Sequence, residues 1–292
     1  MSKARHFTCS LEQYHARREW SHSQIEDLYT SPPLFHGRHI SGQYARKSSP
    51  MFDAGTVAHL LLTSPAEQVD MVAIIPDDVL AKNGARSGTA WKEWKASQDG
   101  KICLKKAEFA PIKEMVWNVH KHPVAAELLA TAQHYEFSVA WIDDDTGLHL
   151  RARPDMICGQ NGLAVEVDFK TTKAVTQREF VADAAKYGYH RQAAWYWDGA
   201  AEFGMDVSRF VFIAVDKSPA HQCRVYEFSE ADIELGREEN RCLLNELAKR
   251  LEEDDWSDPL GKDVLNVSLP AWKHAEVGTP EILTIGGKSI AV

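Results

Sequence analysis

Through Val165-Glu166-Val167-Asp168-Phe169-Lys170 the chain alternates apolar and polar side chains without a break. A period of two predicts a strand over 163–171, with Glu166, Asp168 and Lys170 on one face. Strand patterns also fall at 135–142, 148–153, 210–215 and 223–228. Helical periodicity predicts helices over 11–29, 53–62, 90–99, 107–120, 123–132, 177–203 and 229–253. The last of these carries Ile233, Leu235, Leu243, Leu244, Leu247 and Leu251 for packing on a sheet. Beyond Trp256, proline, glycine and the loss of periodicity predict an extended tail. The order of elements predicts an α/β fold, a mixed β-sheet flanked by helices with a helical N-terminal region. One domain is expected over 1–292: a helical part at 1–134, a core at 135–255 and the tail at 256–292.

Composition narrows the class. With 292 residues, 44% apolar and 26% charged, the chain can bury a sizeable core. No stretch approaches the roughly eighteen apolar residues of a membrane span, so a cytoplasmic protein is expected. Cys9, Cys103, Cys158, Cys223 and Cys242 are scattered and show no C-x-x-C spacing, as expected of reduced thiols. The formal charge of −9 argues against a nucleic-acid partner until its distribution is read. Residues 1–50 hold seven Lys and Arg against four acids, and Lys82, Arg86, Lys92, Lys95, Lys101, Lys105 and Lys106 are interleaved with Trp91 and Trp94. The acids gather instead at 143–145 and 252–255, so a basic channel can lie beside an acidic exterior.

Candidate chemistry centres on residues 153–196. Asp155 follows Pro154, a residue confined to strand ends and edges, and a neighbouring antiparallel strand can place it beside Asp168. Carboxylates held that close repel unless a cation neutralises them, and hard oxygen ligands without a thiolate favour Mg²⁺ or Mn²⁺ over Zn²⁺. Lys170, on the face of Asp168, can orient a water or offset developing charge. Tyr189, Gln192 and Tyr196 fall at i, i+3 and i+7 and share one helix face.

Pro154-Asp155, Asp168-Phe169-Lys170-Thr171-Thr172, and Gln192 with Tyr196 together resemble the PD-(D/E)xK nuclease superfamily. The Q-x-x-x-Y spacing resembles the branch of RecB-type nuclease domains and lambda-type exonucleases. Within that branch the likeness is to the RecE, or exodeoxyribonuclease VIII, group of phages and prophages. Gly55-Thr56-Val57-Ala58-His59, Arg86-Ser87-Gly88-Thr89-Ala90-Trp91-Lys92 and Leu269-Pro270-Ala271-Trp272 extend the likeness from about residue 21 to 272. The resemblance implies His59, Asp155 and Asp168 as metal ligands and Lys170 as the catalytic lysine. Gln192 and Tyr196 would support the site and the DNA end, with Glu166 as an accessory acid. Cysteine spacing excludes the four-cysteine iron-sulfur cluster of some relatives.

The expected function is therefore a Mg²⁺-dependent exonuclease, with Mn²⁺ able to substitute, acting on double-stranded DNA ends. The resemblance further implies 5′ to 3′ polarity leaving 3′ overhangs, a homo-oligomeric ring of three or four subunits, and a single-strand annealing protein as recombination partner. The alternatives are a structure- or site-specific endonuclease of the same fold, or a non-catalytic DNA-end-binding phage protein.

Overall fold

A computed structural model of the chain describes residues 4–44, 54–63, 71–174 and 176–268, and the backbone of 282–285 and 288–291. Asp53, the basic residues Lys3, Arg46 and Lys47, and the 269–272 segment lie outside the described residues. In chain order the elements are β1 (Arg5–Phe7), α1 (Leu11–His15), β2 (Trp20–Ser21), α2 (His22–Thr30), α3 (Pro32–Phe35), α4 (Ala54–Thr63), β3 (Val72–Ile74), α5 (Thr89–Ser97), β4 (Ile102–Leu104), α6 (Lys106–Lys121) and α7 (Pro123–Ala130). They continue with β5 (Ala132–Tyr135), β6 (Ser138–Ile142), β7 (His149–Ala152), β8 (Met156–Gln160), β9 (Leu163–Thr172), α8 (Gln177–Tyr187), α9 (Tyr189–Phe203), β10 (Val207–Asp216), β11 (Cys223–Glu227), α10 (Glu230–Glu253), β12 (Ile282–Ile285) and β13 (Lys288–Ala291). No helix among the described residues is long and apolar enough to cross a membrane.

The fold is mixed α/β, with sheets flanked by helices. A five-stranded sheet runs in the order β11-β10-β9-β8-β5. Its centre is the parallel pair β9–β10, and β8 pairs antiparallel with β9. Alternation along β9 divides the core as the sequence predicts. Val165, Val167 and Phe169 pack with Val57 of α4 and with Ile112 and Met115 of α6. On the opposite face, Phe210 and Phe212 of β10 meet Ala193 and Ala194 of α9. A second sheet, β1-β6-β7-β2, buries Trp141 and Leu150 against Ile25, Trp195 and Leu247. Each such large apolar side chain contributes about 1.5–3 kcal/mol when fully buried.

Several expectations change. The helix expected over 11–29 is two helices separated by β2, because Trp20 and Ser21 pair in parallel with Leu150 and Arg151 of β7. The Arg151 guanidinium, almost wholly buried, holds that break by donating to the carbonyls of Arg17 (2.8 Å) and Glu19. Strand β7, expected beside β9, belongs to the other sheet, and Pro154 lies at the change of sheet before β8. Residues Ser257–Val292 form a separate unit in which β12 and β13 pair antiparallel, where only an extended tail is expected. The Gly286-Gly287 pair between those strands is the sequence signal for a hairpin.

The helix expected over 177–203 breaks at Gly188, whose φ of +66° lies in the left-handed region. A Cβ there would collide with Arg191 Nη2 and come within 2.8 Å of Glu26 Oε1. Gly188→Ala is therefore expected to lose at least 1–2 kcal/mol, of the order expected for left-handed strain alone. A denaturant midpoint unchanged from the parent would refute this.

Candidate active site

The ladder between β8 and β9 pairs Met156 with Val167, so Asp155, one residue before β8, comes level with Asp168. One Asp155 oxygen accepts the Phe169 N–H at 2.7 Å and the other lies 2.9 Å from His59 Nε2. His59 reaches the sheet from α4. Its Nδ1 lies 3.8 Å from Glu136 Oε1. Ligand atoms of His59, Glu136 and Asp155 all fall within 4.8 Å of one another, a nitrogen and two carboxylates with no thiolate. That donor chemistry fits a hard divalent cation such as Mg²⁺ or Mn²⁺.

Asp168 stands outside this trio and takes part in a second arrangement. Lys170 Nζ lies 2.7 Å from Asp168 Oδ2 and donates to Gln192 Oε1 at 2.9 Å. Gln192 Nε2 in turn donates to Asp168 Oδ1 at 2.9 Å. The ammonium thus neutralises the buried Asp168 carboxylate as a close ion pair. Tyr189 lies beneath the ammonium, its ring centre 4.8 Å away. Glu166 is placed one pair deeper on the same face. It is fully buried, and neither carboxylate oxygen has a hydrogen-bond partner.

Burial and crowding set the protonation states. Burial pulls the His59 imidazole down, but Asp155, Glu136 and Asp168 outweigh it and raise its pKa to about 9. Burial and the Asp155 charge push Glu136 up. Burial also pushes Asp168 up, against the opposing pull of Lys170. Lys170 is disfavoured by burial, yet the Asp168 charge keeps its pKa above the ordinary value. Burial and then the Asp198 charge push the Glu166 carboxyl well above the usual carboxylate range.

Tyr196 lines a cavity of about 620 Å³ together with His59, Glu136, Asp155, Tyr14 and Arg153. Its phenol is pushed well up, chiefly by burial. The fold thus brings His59, Asp155, Asp168, Lys170 and Gln192 into one connected cluster: His59, Asp155 and Tyr196 line this groove, Lys170 lines an adjoining cavity with His59, and Asp168 and Glu166 are both buried. Sequence reasoning misses Glu136. It stands in the turn between β5 and β6 at a φ of +50°, with its N–H donating to the Asp155 carbonyl at 2.9 Å. Such a conformation costs on the order of 1–3 kcal/mol in a non-glycine residue and clusters at functional sites. No motif or spacing marks the residue in the sequence.

Comparison with known proteins agrees with this architecture. A family model described as a PDDEXK-like domain of unknown function, DUF3799, matches residues 21–263. A crystal structure from Eubacterium rectale, described as a candidate exonuclease, superposes with a TM-score of 0.54 at 13% identity. It covers 92% of this chain and 98% of its own. A further solved structure, SSO0001, covers 68% of this chain and 84% of its own at 16% identity, with a TM-score of 0.30, too low to imply a shared fold. No curated protein matches the sequence.

The raised pKa of His59 has a definite sign. The charged imidazole contributes stability in full below its unfolded pKa near 6.5, and that stability is lost as pH rises through about 9. In metal-free protein, unfolding free energy is expected to fall by on the order of 1–3 kcal/mol between pH 7 and 9.5. His59→Gln should flatten that limb. Parallel pH profiles of variant and parent would show that His59 does not carry the charge.

Proposed function

The chain belongs to the PDDEXK-like family, and we propose from that premise that it is a divalent-metal-dependent exonuclease hydrolysing phosphodiester bonds from duplex DNA ends. The observation that carries this reading is the meeting of the His59–Glu136–Asp155 trio with the Asp168–Lys170–Gln192 triangle through the β8–β9 register that sets Asp155 level with Asp168. The End-directed action is supported by the similarity in fold to the Eubacterium rectale protein described as a candidate exonuclease.

In this reading His59, Glu136 and Asp155 would hold the cation, and Asp168, paired with Lys170 beside them, would join them as a further carboxylate. When bound, the cation supplies Lewis-acid polarisation of a phosphoryl oxygen and acidifies water. Lys170 remains a cation because its pKa is raised, so it serves charge developing on the phosphate rather than acting as a general base. Gln192 fixes both Lys170 and Asp168 and so keeps the ammonium aimed at the groove. The Phe169 N–H orients the Asp155 carboxylate through backbone geometry. Tyr196 forms part of the groove wall against which a strand would lie. Glu166, buried without a hydrogen-bond partner, is proposed only as an accessory acid on the face of Asp168. The proposal extends to 5′ to 3′ polarity, a ring of three or four subunits enclosing the duplex, and a single-strand annealing protein that receives the overhang in recombination.

Asp155→Ala and Lys170→Ala are each expected to lower cleavage of linear duplex at saturating Mg²⁺ by roughly 100-fold or more while the protein stays folded. Covalently closed circles should resist the parent enzyme. Cutting of circles at a rate comparable to linear DNA would replace the exonuclease with an endonuclease. Absence of any metal-dependent cleavage would leave a non-catalytic end-binding protein.

A further inference from the structure

We propose that α5 and the strand it is fastened to form a docking platform for single-stranded DNA beside the groove. Residues 82–106 carry seven Lys and Arg against two acids, in a chain whose net charge is −9. Helix α5 contributes no buried residue to the core. Its tryptophans, Trp91 and Trp94, stand one turn apart on one face with ring centres 5.7 Å apart, and both remain partly exposed. Lys92 and Lys95 flank them and are exposed. Two of the seven cations are neutralised, Arg86 by Glu108 and Lys106 by Asp77. Among the described residues, no acid pairs with Lys82, Lys92, Lys95 or Lys101.

Core packing does not explain this pattern. Tryptophan ordinarily gains its stabilisation by full burial, and here both are only half-buried, on a helix with no fully buried residue. An aromatic pair with unpaired lysines offers what a single strand needs, namely flat faces for bases and cations for phosphates. A duplex keeps its bases stacked inside and cannot use the rings in the same way. The helix is also connected to the groove. Lys95 Nζ donates to the Lys101 carbonyl at 3.0 Å, which fastens α5 to the residue before β4. Ile102 of β4 lines the groove with His59 and Glu136. Through Lys95 and β4, α5 is thus tied to an element that lines the groove.

The identity of the strand, as the one spared by cleavage, rests on the nuclease reading; the binding itself does not. The test is fluorescence anisotropy of a labelled oligothymidylate with the full chain in EDTA, where no cleavage intervenes. Trp91→Ala/Trp94→Ala should weaken binding by roughly tenfold or more. Lys92→Gln/Lys101→Gln should make the dependence of log affinity on log salt shallower by about 0.7 per contacted phosphate. Thermal melts of both variants should match the parent, and the lysine pair decides the matter should the tryptophan pair fail to fold. Unchanged oligothymidylate affinity in both variants would overturn the platform. So would an equal loss of binding to a blunt duplex, or a shift in sedimentation showing that the tryptophans join copies of the chain. Lost cleavage with intact, tryptophan-dependent binding would count against the nuclease reading alone.

Discussion

The register between β8 and β9 is the constraint on which the site depends. Met156 stands opposite Val167, and that single alignment brings Asp155 level with Asp168. Side chains alternate along a strand, so a slip of one residue would turn Asp168 and Lys170 toward α6 and bring Val167 and Phe169 to the groove. The register is fixed by apolar burial. Val165, Val167 and Phe169 on one face pack into a core with α4 and α6. Placing carboxylates and an ammonium on the other face follows from that packing.

Those charges are costly to hold together. Asp155, Glu136 and Asp168 repel one another, and burial disfavours the charged state of each buried member. The protein offsets this with its own cations: His59 against Asp155 and Glu136, and Lys170 against Asp168. A divalent cation held by the same carboxylates would relieve the same repulsion.

Gln192 must point at Lys170, and its helix is set by contacts on the side away from the groove. Arg191 is almost fully buried and donates to Glu26 of α2 and Glu239 of α10. Burial opposes ionisation of Glu26, but Arg191 and His22 outweigh it and lower its pKa to about 2. Gly188 permits the approach, since a side chain there would occupy the space of the Arg191–Glu26 pair. The residue next to the amide thus anchors three helices and fixes the rotation of α9.

Much of the chemistry was legible along the chain because it is local. Alternation from Val165 to Lys170 set the shared face of the acid and the lysine, and helical spacing put Tyr189, Gln192 and Tyr196 together. These are properties of period, which a strand or helix carries wherever it packs. Tertiary structure decided what period leaves open. It separated β7 from β8 at Pro154, since alternation does not say which strands are neighbours. It split two expected helices, one where Trp20 and Ser21 found a partner strand and one at Gly188. It buried Glu166 without a partner while its face-mate Asp168, also buried, met Lys170 and Gln192, because depth beneath a covering helix is not encoded in alternation. It also brought Glu136 to His59 and Asp155 from a turn with no motif of its own. A ligand contributed by a turn is specified by where two strands end in space, and only the folded chain contains that information.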